Sequence, residues 1–341
     1  MDMKLNLEQI KEITRGAVRI TEEQDGIHFQ RFTKEQEALY LNERTIFAER
    51  SQATAGVRME FRTNSRNLEI KTNIAPGSSR SYFAFEIYVD GKFNGRLANF
   101  AEEGETRDYI TGVFEIGKFS KAFALGEGEK EVCIYFPWSV KAVIEEINID
   151  DGAFVEPMKE KKKLLMYGDS ITQGYDALSP TRRYALRIAD AFGLEEINKA
   201  IGGEVHCAAF ARMKDDFTPD YITIAYGTND WAKCKKADVV EDIQGFYEAI
   251  CGRYPNTPIF TILPIWRADE CDVHEFGDFE EVVELIRETV KPYPNVTVID
   301  GYDFVPHDAK YYQDGFLHPS DEGFDHYFNN LYAALKEYIT T

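Results

Sequence analysis

The sequence predicts two domains in series: an antiparallel all-β sandwich, jelly-roll-like, over residues 1–155, and a three-layer α/β domain with a parallel sheet over residues 156–341. Two observations predict this. Up to residue 155 short β-rich runs alternate with turn signals, and beyond it strands and helices alternate one for one. A third makes it feasible: 341 residues with 44% hydrophobic content can bury two cores.

In the first part the strands are Val57–Phe61, Leu68–Thr72, Phe83–Val89 and Val132–Phe136, each an apolar/polar alternation or a β-rich run. Pro76-Gly77, Asp90-Gly91 and Gly126-Glu-Gly128 punctuate them, and Asp90-Gly91 has the composition of a two-residue hairpin. The polar stretch Glu156–Lys163 reads as a linker. Beyond it come strand 164–167, helix 181–193, strands 196–200 and 221–226, helix 237–253, strand 258–263, helix 277–290, strand 296–300 and helix 321–338. Ile222–Tyr226 and Ile259–Leu263 are apolar on both faces, as strands buried under helices on each side must be. Ligands of such sheets bind outside the carboxyl ends of the strands, which is where Ser170, Gly203, Asn229 and Trp266 fall.

A net charge of −20 excludes nucleic-acid phosphates as partners and favours a neutral small molecule. The start Met1–Ile10 lacks a secretory apolar core, and no run approaches the roughly 20 apolar residues of a membrane span, so neither secretion nor a membrane is expected. Five widely spaced cysteines without a CxxC pair read as thiols in a reducing compartment, the cytoplasm by default, and not as a disulfide or zinc framework.

The chemistry is concentrated in two places. Tyr167-Gly-Asp-Ser-Ile-Thr-Gln-Gly174 sets Ser170 at the tip of a strand, and Asp314-Gly-Phe-Leu-His-Pro319 supplies an imidazole and a carboxylate. A serine hydroxyl becomes a nucleophile only when a base takes its proton and a third group orients that base. Gly-Asp-Ser by itself is equally compatible with a structural turn.

Four blocks in order give the pattern its meaning, and through them residues 164–341 resemble the SGNH, or GDSL, hydrolase superfamily. Gly168-Asp-Ser170 with Thr172 and Gly174 resembles its nucleophile block. Asn198-Lys-Ala-Ile-Gly-Gly203 resembles the second, whose last glycine lends an N–H to an oxyanion hole. Gly227-Thr-Asn229-Asp230 resembles the third, whose asparagine donates a side-chain N–H to the same hole. His318-Pro319 with Asp314 resembles the last, which holds the base and its acid. The resemblance implies a flavodoxin-like α/β/α fold, a triad of Ser170, His318 and Asp314, an oxyanion hole of Ser170, Gly203 and Asn229, and no metal or cofactor. The spacing departs at the acid: three residues separate Asp314 from His318 where the family has two. Either Gly315 lets the loop bulge so that Asp314 reaches the ring, or a backbone carbonyl orients His318.

Of the remaining residues, Asp169 is expected to tie down the nucleophile turn. Trp231, Trp266 and His206 are candidate substrate-binding residues, with ordinary packing the alternative, and Arg267 reads as a solvated surface residue. Phe136-Pro-Trp138 offers an aromatic platform or a buried core. The arrangement of a β domain ahead of this fold resembles bacterial carbohydrate esterases and an acyltransferase-like group. The expected activity is therefore removal of a small acyl group, acetyl among them, from a sugar or other polar alcohol. An acyltransferase with the same site and an inactive carbohydrate-binding protein are the alternatives.

Overall fold

The structure, a computed structural model, describes residues 3–100 and 108–339. The chain divides into two units: Met1–Phe32 with Ala48–Lys161 and Leu178–Thr181, and Thr33–Phe47 with Lys162–Ala177 and Arg182–Thr341. This differs from a single cut at 155/156, because the segment from Thr33 to Phe47 belongs with the second unit.

The first unit is a β-sandwich of antiparallel strands. One sheet runs Arg19–Glu23, Gly26–Gln30, Val140–Ile149, Asn67–Pro76, Gly117–Ala124, with Met3–Lys4 also on Val140–Ile149. The other runs Val155–Pro157, Arg58–Thr63, Lys130–Tyr135, Ala84–Val89, Lys92–Ala98, with Thr14–Arg15 also on Arg58–Thr63. Alternation does its expected work: along Asn67–Pro76 the residues Leu68, Ile70, Thr72 and Ile74 are buried and their neighbours are not. Leu68, Ile70 and Ile74 pack in one core with Met59, Phe61, Phe85, Ile87, Val132 and Ile134. Asp90 and Gly91 have φ of 48° and 73°, as the predicted two-residue hairpin turn requires. Phe136 and Trp138 are both buried, so this pair serves the interior and offers no platform. Val155–Pro157 pairs with Arg58–Thr63, so the predicted linker begins inside a sheet.

The second unit is a three-layer α/β/α domain of flavodoxin-like order. Its five strands are β1 (Lys163–Gly168), β2 (Glu195–Asn198), β3 (Tyr221–Ala225), β4 (Ile259–Ile262) and β5 (Val296–Ile299), all parallel and ordered β2-β1-β3-β4-β5. Leu164 and Met166 of β1 point to one face, in a core with helices Tyr184–Ala191 and Asp321–Leu335. Tyr167 points to the other, its ring 6.0 Å from that of Phe210 and 5.5 Å from that of Phe246 on helix Lys236–Arg253. Chain direction across the sheet reverses between β1 and β3, which opens a crevice at their carboxyl ends. Among the described residues no helix is long and apolar enough to cross a membrane.

Candidate active site

β1 ends at Gly168, and the chain turns at once into a four-residue helix, Ser170–Gln173. Asp169 caps that helix, its carboxylate accepting the N–H of Ile171 at 3.0 Å, which is the tying role expected of it. Gly168 is required by crowding: a Cβ there would lie 2.2 Å from Thr172 Oγ1. Burial drives the Asp169 carboxyl up to about 6, with the Ile171 N–H and His318 partly offsetting it.

The loop before the last helix brings the other two groups to Ser170. Gln313 N–H donates to His318 O at 2.8 Å, and Gly315, at φ 80°, takes up the extra residue. Asp314 thereby folds back on the loop. Its Oδ1 accepts the N–H groups of Phe316, Leu317 and His318 at 3.0, 2.8 and 3.0 Å, and its Oδ2 lies 2.6 Å from His318 Nδ1. His318 Nε2 lies 2.8 Å from Ser170 Oγ. Burial works to raise the Asp314 carboxyl, but the bond to His318, its charge and the backbone N–H groups hold it at about 2. An ionised carboxylate only accepts, so Nδ1 carries the proton and the lone pair of Nε2 faces the serine hydroxyl. That arrangement can deprotonate Ser170 as it attacks. Tyr175 stacks on the imidazole with ring centres 5.4 Å apart.

Gly203 and Asn229 sit at neighbouring strand ends. After β2 the chain runs on beside β1, Ile201 N–H donating to Gly168 O at 3.2 Å. Gly202 N–H donates to Gln173 Oε1 at 2.7 Å, and Gly203 follows at φ 87°. Asn229 lies in the first turn of helix Thr228–Lys233, after β3, and its Nδ2 donates to Glu204 O at 3.1 Å. Gly203 is thus bracketed between a residue tied to the nucleophile helix and one tied to Asn229.

Residues 166–326 match the GDSL-like lipase/acylhydrolase family. That stretch, within the second unit, carries a domain of this family. The match spans the serine turn, Gly203, Asn229, Asp314 and His318 in one run. A salicylyl-acyltransferase from a tetracycline biosynthetic pathway shares the fold at 21% identity, with 96% of each chain covered and a TM-score of 0.77. A candidate GDSL-like lipase from Bacteroides ovatus does so at 22% identity, 96% of each chain and 0.75. An acetyl xylan esterase from the rumen bacterium Butyrivibrio proteoclasticus does so at 15% identity, 98% of each chain and 0.63. Those coverages take in the β-sandwich as well as the GDSL domain. No curated protein matches the chain.

Three other side chains named from the sequence, His206, Trp231 and Arg267, are buried. His206 is fully buried, its Nδ1 3.1 Å from Asp230 Oδ1 and its ring among Tyr226, Phe246 and Tyr247, so it does not line an open pocket. Trp231 is likewise buried, donating to Gly277 O at 2.9 Å, with the Arg267 guanidinium 4.8 Å from its ring centre. Arg267 is no surface residue: it is buried, forks onto Asp269 at 2.5 and 2.7 Å and donates to Thr228 Oγ1 at 2.8 Å. Both side chains turn inward because the Arg267–Asp269 fork and the Gly277 carbonyl give their polar atoms partners there. Trp266 is half-buried and stacked on His307 at 5.2 Å.

The sequence reading overlooked Asp176. It is fully buried, in the left-handed region at φ 70°, and its Oδ2 lies 3.6 Å from His318 Nδ1. Asp176, Asp314 and His318 offer ligand atoms within 4.8 Å of one another, as do Glu23, Asp25 and His28 in the sandwich. A cation at the first cluster would compete with the proton that Nδ1 shares with Asp314.

Proposed function

We propose that the protein is a serine ester hydrolase that removes small acyl groups, acetyl among them, from a sugar or other polar alcohol. The observation that carries this is the unbroken chain Asp314–His318–Ser170, at 2.6 and 2.8 Å. In this reading Ser170 Oγ attacks the ester carbonyl while His318 Nε2 takes its proton. The imidazolium, held by Asp314, then passes that proton to the departing alcohol, leaving an acyl-enzyme on Ser170. Water enters, His318 deprotonates it, and the acid leaves as the serine is restored. The N–H of Ser170, the N–H of Gly203 and the Nδ2 of Asn229 donate to the carbonyl oxygen as negative charge develops on it, each such donor contributing about 3–4 kcal/mol in the transition state. No metal or cofactor takes part in this sequence.

The net charge of −20 disfavours polyanionic substrates and so favours a neutral one, and the carbohydrate esterases among the structural neighbours support a sugar ester. Cysteines outside any disulfide support a reducing compartment such as the cytoplasm. The salicylyl-acyltransferase neighbour supports a second reading, in which an alcohol other than water accepts the acyl group. Product analysis with competing acceptor alcohols separates the two. The primary test is turnover of p-nitrophenyl acetate and butyrate by the wild type, with Ser170→Ala and a serine-directed phosphonate as controls. Turnover abolished by either control supports the proposal. No turnover and no labelling of Ser170 leaves a carbohydrate-binding protein as the better account.

A further inference from the structure

The segment from Thr33 to Phe47 is grouped with the GDSL domain, although it lies more than a hundred residues before the family match begins. It is held there by its own local signals and by partners far away in sequence. Thr33 and Gln36 form a capping box that starts helix Lys34–Asn42. Gln36 Oε1 then accepts from Lys199 Nζ at 2.6 Å, and the same ammonium is 2.7 Å from Asp215 Oδ1, both of those side chains being fully buried. Tyr40 is buried with its ring 5.5 Å from that of Phe210. The segment is therefore an integral layer of this unit.

Its last cation reaches the loop that carries Gly203. Arg44 Nη2 lies 2.5 Å from Glu204 Oε1, the residue directly between Gly203 and the loop's return, with Glu204 almost wholly buried. The same Glu204 oxygen accepts the N–H of Val205 at 3.1 Å, and the Glu204 carbonyl accepts from Asn229 Nδ2 at 3.1 Å. An amide nitrogen has two hydrogens in one plane, so fixing one on Glu204 O sets the direction of the other. Gly203 precedes Glu204 and Asn229 bonds to it, so whatever anchors Glu204 anchors both donors at once.

We propose that Arg44 is a positioning residue for the oxyanion hole: it fixes Glu204, and through Glu204 it fixes Gly203 N–H and Asn229 Nδ2. This rests on the reading of the site as a serine esterase. Electrostatics agree with the geometry. Burial raises the Glu204 carboxyl to about 7, and the Arg44 charge, the Val205 N–H and the Tyr40 hydroxyl are what keep it from rising further. Without Arg44 the carboxylate has lost its counter-ion and the loop its anchor.

A positioning role acts on the transition state more than on substrate binding. The test compares the full-length wild type, Arg44→Ala, Arg44→Lys and Glu204→Gln on p-nitrophenyl acetate, with kcat expressed per phosphonate-titrated Ser170. Inhibition by a boronic acid, which forms a tetrahedral adduct on the serine, is measured in parallel. Arg44→Ala is expected to lower kcat per titrated site roughly 10- to 100-fold, with KM within about threefold and the boronate inhibition constant raised in proportion. Arg44→Lys is expected to restore most of the loss. Glu204→Gln, nearly isosteric and therefore foldable, is expected to show the same kcat-weighted defect. A structural role alone would lower the titrated fraction and the thermal midpoint and leave kcat per site unchanged, and that result overturns the inference while the esterase reading stands. A wild type that Ser170→Ala does not inactivate overturns both.

Discussion

The substitution Asp314→Asn tests the relay because the structure dictates how the new side chain must sit. Three backbone N–H groups, of Phe316, Leu317 and His318, point at Oδ1. An asparagine can satisfy them only with its carbonyl oxygen, since its NH2 would set donors against donors. The NH2 is therefore forced toward His318 Nδ1, which must then accept. The proton moves to Nε2, and an N–H now faces Ser170 Oγ where a lone pair is needed. A triad aspartate changed in this way costs roughly 10⁴ in kcat, or about 5.5 kcal/mol of barrier. Asp176 does not rescue it, because 3.6 Å from Nδ1 is too long for a hydrogen bond. The assay is steady-state turnover of p-nitrophenyl acetate by variant and wild type, with phosphonate titration to count competent sites. A loss under tenfold would falsify the assignment of Asp314 as the group that sets the tautomer and would return that role to a backbone carbonyl.

Three further outcomes follow from the same geometry. Asn229→Ala removes the proposed oxyanion donor and the hydrogen bond to the Glu204 carbonyl; kcat should fall about 10²- to 10³-fold with KM changed far less, and a defect confined to KM contradicts the role. Asp176→Asn should lower kcat by less than about tenfold, since Asp314 makes the short bond; a loss matching that of Asp314→Asn would make the two carboxylates joint orienters. Glu204 gives a signature in stability. Its folded value of about 7 lies above the ordinary 4.5, so the folded state binds the extra proton, and its contribution is full below about pH 4.5 and lost as pH rises through 7. Glu204→Gln lacks this dependence, so the variant's unfolding free energy relative to wild type should increase by up to about 3 kcal/mol between pH 4.5 and 8. Parallel denaturant curves at the two pH values, with a constant difference, refute the raised value.

Much of the GDSL domain was legible in the sequence because parallel strands buried on both faces must be apolar throughout. Ile222–Tyr226 and Ile259–Leu263 announce themselves for that reason, and β3 and β4 match those ranges to within one residue at each end. The candidate site was legible because Ser170, Gly203 and Asn229 follow β1, β2 and β3 in order, with His318-Pro319 just ahead of the last helix. Whether Asp314 reaches His318 was left open, since its reach depends on the Gln313–His318 pairing and the left-handed Gly315, both tertiary facts. For Trp231 and His206 the sequence left pocket and packing open, and it read Arg267 as solvated, because residue type gives no direction: each turns inward onto a hydrogen-bond partner far off in sequence. The segment from Thr33 to Phe47 carried a readable capping box, yet its partners Lys199, Glu204 and Asp215 lie about 160 to 180 positions later. No local pattern reveals a pairing of that range. Asp176 gave no signal at all, being one acidic residue in an ordinary loop sequence.

The central claim is that Ser170 carries the acyl group. Acid-quenching the wild-type enzyme during p-nitrophenyl acetate turnover, followed by peptide mapping by mass spectrometry, tests it directly. The account predicts an acetylated peptide containing Ser170, absent from Ser170→Ala and formed far more slowly in His318→Ala. Acetylation at another residue that turns over at the catalytic rate, or sustained turnover by Ser170→Ala, would contradict it.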